Sequence, residues 1–154
     1  MIELQVTSST FQYGGTIPVM YTGDGPDVSP SLEWTAVPKG TQSLAIICDD
    51  PDAPAGTWVH WVMYGLSAET TSLGEGVPKE RAVPGGARQG VNDFGRIGYG
   101  GPAPPPGPSH RYYFKVYALD ATLDLESGLT KQQLLNAMKG HILAQGELMG
   151  KYKR

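Results

Sequence analysis

The chain has 154 residues, 40% of them hydrophobic and 18% charged, a balance that predicts one folded domain over residues 1–154 and excludes a disordered chain. A net charge of −3 excludes a general nucleic-acid binder, which needs clustered Lys and Arg for phosphate contacts. The single cysteine excludes an internal disulfide. No run approaches the ~20 apolar residues of a membrane span, and no basic segment followed by an apolar stretch opens the chain, so a cytoplasmic protein without stable membrane insertion is expected.

The 21 Gly and 13 Pro are spread between short apolar runs, the pattern of a mainly β fold with many turns. Ile2, Leu4 and Val6 alternate with polar residues and predict a half-buried first strand. A turn at Tyr13-Gly14-Gly15-Thr16 precedes a short strand over residues 17–21, and residues 29–34 alternate again. Residues 44–48 form a continuous apolar run of strand length, in which Cys48 reads as a buried, inert thiol.

The run ends at Asp49-Asp50-Pro51-Asp52-Ala53-Pro54. Prolines fix φ and remove backbone donors, so the strand should stop there and leave three carboxylates on a stiff loop. The next strand covers residues 58–66, with Trp58, His60, Val62 and Tyr64 on one face and Val59, Trp61 and Met63 on the other. On that alternation Trp58 and Trp61 point apart, and at most one of them lines a pocket.

Residues 74–108 carry Gly or Pro at nearly every third position and predict a long ordered loop, pinned by Val91, Phe94, Ile97 and Tyr99. Residues 112–119 are aromatic and β-rich. Thr130 with Gln133 is a capping box, and Leu134, Leu135 and Met138 give the helix behind it an apolar stripe that ends at Gly140. A terminal strand follows over residues 146–152, and the closing Lys151-Tyr152-Lys153-Arg154 reads as a solvated end.

Three histidines are present: His60, His110 and His141. His60 lies on a strand close behind Asp50, and His110 ends the Gly/Pro loop. Four readings compete for this set. An anion pocket would use imidazole N–H groups, a Tyr hydroxyl and backbone N–H groups, with carboxylates orienting the rings. A metal site has the right residue types and lacks the close spacing of common metal motifs. A hydrolase would need Ser109 activated, yet the side chains of Ser109 and His110 diverge in an extended segment. Finally, the histidines could only satisfy buried hydrogen bonds while the acids cap turns. Arg111 reads as the ion-pair partner of Asp50 or Asp52.

Taken together these segments resemble the phosphatidylethanolamine-binding protein family, in its bacterial and archaeal branch sometimes called Raf kinase inhibitor-like proteins. The resemblance runs through Asp27-Val28-Ser29-Pro30, the acidic turn, Gly56-Thr57-Trp58-Val59-His60-Trp61, Gly90-Val91-Asn92-Asp93-Phe94-Gly95, Gly98-Tyr99-Gly100-Gly101-Pro102, Pro104-Pro105-Pro106-Gly107 and His110-Arg111-Tyr112. It implies a mainly β sandwich with Greek-key connections, a short C-terminal helical segment, and a surface cavity for small phosphorylated or other anionic ligands. Asp50 and His60 would form one wall, Gly101 and Pro102 the loop, and His110 with Tyr112 the opposite wall. Asp52, Pro54, Trp58 and Arg111 would support them, while Asp49 would be an edge residue outside the site.

The resemblance implies binding without catalysis, no cofactor and no metal. It also implies a kinase or protease as an alternative partner, and a homodimer, as in bacterial relatives. Three departures stand out. Ala103 replaces a frequent Cys, and Tyr64-Gly65-Leu66 replaces Asn-Ile-Pro. The C-terminal helix that partly covers the cavity in eukaryotic relatives is missing.

Overall fold

A computed structural model describes residues 2–154; residue 1 of the expected domain lies outside them. The strands are β1 (Ile2–Glu3), β2 (Val6–Thr7), β3 (Leu32–Trp34), β4 (Ser43–Asp50), β5 (Trp58–Ser67), β6 (Ser72–Leu73), β7 (Arg88–Gln89), β8 (His110–Leu119) and β9 (Ile142–Tyr152). One helix, α1 (Lys131–Met138), precedes β9. Six strands form a sheet in the order β1-β9-β8-β4-β5-β7, and β2-β3-β6 form a second. Pairing is antiparallel except where β1 joins β9.

The two sheets enclose the main core. Val6, Leu32 and Trp34 of the small sheet meet Leu44, Ile46, Trp61, Met63, Phe114 and Val116 of the large one. On the large sheet's other face α1 lays Leu134 and Met138 over Ala45, Ile47, Val62 and Tyr64. The continuous apolar run is thereby explained, because β4 sits in mid-sheet with both faces covered. Cys48 is buried in this core, and burial pushes its thiol well above the ordinary value, which suits an inert side chain.

The capping box forms as read: Thr130 accepts from the Gln133 backbone, and the Gln133 side chain accepts from Thr130. Other elements differ from expectation. The first strand divides into β1 and β2, which belong to different sheets. Residues 17–21 do not make a strand; Val19–Tyr21 are a 3-10 turn with Val19 and Met20 exposed. The terminal strand starts earlier, at Ile142, and runs eleven residues. Its Gly146 lies directly under the N-terminal segment, where a Cβ would strike the Leu4 carbonyl. The end is not simply solvated either. The Arg154 guanidinium is 2.7 Å from Asp24, which also accepts from the Tyr152 hydroxyl at 2.7 Å.

The largest correction concerns β5. Cys48 pairs with Trp61 and Asp49 with Val59, leaving His60 as an extra residue in a β-bulge. Alternation slips there by one. Trp58 and His60 share a face, as expected, but Trp61 and Met63 join that same face in the main core while Val62 and Tyr64 turn toward α1. The two tryptophans therefore point the same way. Trp58 lines a pocket at the strand's start, and Trp61 is fully buried.

The acidic turn also differs. β4 extends through Asp49 and Asp50, both buried. Asp49 is no edge residue: its carboxylate takes Lys131 at 2.7 Å and Lys115 at 3.3 Å on the helix side of the sheet. Those two ammonium groups repay its burial in the middle of the sheet.

Candidate functional site

At the end of β4, β5 and β8 lies a cavity of about 170 Å³ lined by Asp50, Pro54, Trp58, His60, His110 and Tyr112, with Ala53, Phe94, Ala103, Pro104 and Pro105 completing its wall. Strand register brings these distant segments together. Asp49 pairs with Tyr113, and Asp50 pairs with Trp58. Asp50 and Tyr112 sit on the face that carries the main core, and the bulge aims His60 at that same side.

The two walls are bonded to each other. Asp50 bonds to His110 rather than His60: His110 Nδ1 lies 2.7 Å from Asp50 Oδ2, with both side chains almost wholly buried. The other Asp50 oxygen accepts the Asp52 N–H at 2.7 Å. His60 Nδ1 instead reaches the Gly100 carbonyl at 2.6 Å. A carboxylate and a carbonyl both accept, so each ring carries a proton on Nδ1 and turns its Nε2 away from these partners. Neither Nε2 has a hydrogen bond within the described protein.

Burial lowers the pKa of His60 below its ordinary 6.5, partly opposed by the Gly100 carbonyl and the Asp50 charge. Tyr112 stacks edge-on against His60, its ring centroid 5.2 Å away. Burial and then the charge of Asp50 raise the Tyr112 phenol far above its ordinary value, so its hydroxyl stays a donor. Trp58 contributes the one buried side-chain nitrogen or oxygen without a partner among the described residues, its indole Nε1.

Asp52 and Arg111 stand outside the cavity as a clamp. The guanidinium holds the carboxylate through two bonds, Nε to Oδ2 at 2.9 Å and Nη2 to Oδ1 at 2.8 Å, and the Arg111 N–H adds a third at 2.9 Å. These bonds pull the Asp52 pKa down to about 2. The clamp closes the acidic turn onto the start of β8, which fixes Asp50 beside His110.

Gly101 and Pro102 do not line the cavity. The Gly101 N–H donates to Asp27 Oδ1 at 2.7 Å, and the Pro102 carbonyl accepts from Gly23 at 2.8 Å. A Cβ on Gly101 would strike the Tyr21 carbonyl. Their work is to seat the loop so that Ala103, Pro104 and Pro105 form the wall and the Gly100 carbonyl meets His60. Asp27, with φ of 60°, is the one described non-glycine residue in the left-handed region.

Phe94, expected only to pin the loop, is a wall of the site. Its ring packs edge-on against both His60 and Trp58. Nothing local in the sequence singles it out, although Asn92 two residues before marks the turn that aims it. His141 lies elsewhere, exposed and 2.8 Å from Asp120. Among the described residues no three His, Cys, Asp or Glu side chains gather as metal ligands would.

Fold and pocket together define a two-sheet β protein with a small, mainly apolar cavity that carries a few polar groups where the ends of its central strands meet. A family model described as phosphatidylethanolamine-binding protein matches residues 7–153. The UPF0098 protein of Methanothermobacter thermautotrophicus is 48% identical over 151 residues, covering 98% of this chain and 99% of the relative. That of Aquifex aeolicus is 49% identical over 153 residues, 98% and 89% of the two chains. Among crystal structures, a phosphatidylethanolamine-binding protein homologue from Chlamydia trachomatis superposes with a TM-score of 0.90 at 45% identity, covering 100% of this chain and 99% of that one. E. coli YbcL, a new member of the mammalian family, gives 0.91 at 34% identity, covering 99% of each. The chain belongs to the phosphatidylethanolamine-binding protein family. No helix among the described residues is long and apolar enough to cross a membrane.

Proposed function

We propose that the chain is a non-enzymatic binding protein whose pocket takes one small phosphorylated or otherwise anionic group. The observation that carries this reading is a cluster of groups left without protein partners. His60 Nε2, His110 Nε2 and the Tyr112 hydroxyl have no protein hydrogen bond, and all three residues line one cavity beside the unpartnered Trp58 indole. Among the described residues only the Trp58 Nε1 is buried without a partner. The two imidazole nitrogens and the phenol face the cavity, and a few convergent polar groups in one otherwise apolar cavity mark where a ligand belongs.

The second nitrogen of each imidazole is already committed, which fixes the rings before a ligand arrives and reduces the ordering cost of binding. Protonated, both Nε2 atoms become donors to an anion. The family's own name, taken from a lipid with a phosphate in its headgroup, supports the same chemistry. Binding is the simpler use of this lining, because the Asp50 carboxylate is engaged by His110 and by the Asp52 N–H. Ser109 is exposed at the strand start.

Titration with inorganic phosphate, followed through the histidine ring resonances, tests the reading. His60 and His110 should both shift while His141 does not. No response of either ring at millimolar phosphate sinks the proposal.

A further inference from the structure

The cavity does not stand alone. On the far side of Phe94 a second one, of about 450 Å³, is lined by Asp27, Lys79, Arg96, Tyr99 and Gly101 among others. Phe94 and Ala103 border both. Phe94 thus forms a partition: its ring centroid is 5.4 Å from that of His60 on one side, and its residue is 40% exposed.

The partition is rigidly hung. Asn92, itself buried, accepts the N–H groups of Phe94 and Arg96 at 3.0 and 3.2 Å and donates to the Gly98 carbonyl at 2.9 Å. One tight turn therefore fixes both the ring that divides the chambers and the guanidinium beyond it.

The charges of the second chamber do not cancel. Lys79 faces Asp27 at 3.5 Å, and Asp27 is further engaged by Gly101. The Tyr99 hydroxyl is spent on the Tyr21 carbonyl at 2.6 Å. Arg96 remains, exposed and without a side-chain hydrogen bond or ion pair to any described residue. Lys39, Arg81, Lys139, Lys151 and Lys153 share that lack, but Arg96 lines this cavity and they do not. A planar fork of donors with nothing to grip, at the wall of a cavity, suits a carboxylate or phosphate.

We infer that the two chambers are one bipartite site for a ligand with two anionic groups, the first held by His60 and His110 and the second by Arg96, with the connecting atoms passing over Phe94. This rests on the anion reading of the first pocket. The ligand class is a phosphorylated small molecule bearing a carboxylate or second phosphate several bonds away.

Phosphonocarboxylates of increasing length, from phosphonoacetate to phosphonohexanoate, titrated by calorimetry at low salt against alkylphosphonates of equal chain length, test this directly. Once the chain is long enough to clear Phe94, the terminal carboxylate should improve affinity about fivefold, the upper range for a partly exposed ion pair. Arg96→Gln should bring that ratio back to one. Equal affinity of the two series at every length, as a ligand with an apolar tail would give, overturns the inference, and so does a ratio that survives Arg96→Gln. Alkylphosphonates that leave the His60 and His110 resonances unmoved overturn the first-pocket reading and this one with it.

Discussion

Sulfate binding should strengthen as pH falls, because His60 must gain a proton to grip it. With Nδ1–H donated to Gly100, the neutral ring offers an anion only the lone pair of Nε2. Burial favours that neutral form by lowering the pKa below 6.5, and a bound dianion favours the imidazolium. The groups facing the ring are Asp50 from β4, His110 and Tyr112 from β8, and the Gly100 carbonyl.

The pKa of the complex therefore exceeds that of the free protein. Affinity climbs as pH falls between the two values and levels off on the acid side of 6.5. One proton gives a slope of at most about one decade per pH unit. A charge-assisted hydrogen bond is worth ~1.5–3 kcal/mol, so the whole rise should be about 10- to 150-fold.

Sulfate is the probe because its own charge is constant across the ~pH 5–8 range in which histidine titrates. Calorimetry in buffers of different ionisation enthalpy counts the protons taken up, and His60→Gln should subtract its share of the curve. A sulfate affinity that is flat or weakens in acid refutes the reasoning, as do superimposable profiles for the wild type and His60→Gln.

Tyr112→Phe removes one unpartnered donor from the cavity and should weaken phosphate binding by ~0.5–1.5 kcal/mol, about two- to twelvefold, with little change in the denaturation midpoint; calorimetry and urea melts check both. Gly101→Ala drives a Cβ against the Tyr21 carbonyl and within 2.6 Å of Asp27 Oδ1, so urea denaturation should show a loss of ~1–3 kcal/mol, and the displaced loop should lower phosphate affinity. Asp49→Ala strips Lys115 and Lys131 of their shared partner. It should cost ~1–3 kcal/mol in a denaturant melt while phosphate binding on the opposite face of the sheet is kept.

Much of this was readable from local signals. A doubly apolar run gave β4, aromatic density gave β8, and Thr130 with Gln133 gave the helix start, because each depends on neighbours within a few residues. The site was readable as a set of strand-end residues, and the motif resemblance joined Asp50 and His60 to His110 and Tyr112 across sixty positions. Partnerships set by register were not. Only the pairing of β4 with β5 reveals that His60 is an extra residue, so strict alternation put Trp61 and Val62 on the wrong faces. Asp49 looked like an edge because the lysine that neutralises it most closely stands 82 residues away. Gly101 and Pro102 missed the wall by one turn of loop, for nothing local tells which residues of a Gly/Pro stretch face inward.

The bulge at His60 also sets how this chain can change length. Deleting one residue between Trp58 and Trp61 would restore simple alternation to the first half of β5, leaving either the imidazole or the core in the wrong place. An insertion at the same point would do comparable harm, whatever residue it added. In a collection of related sequences, gaps should therefore crowd into the loops before Trp58 and after Ser67 and be absent from this short interval. Substitutions there would still be found, limited only by the size of the side chain that each face admits.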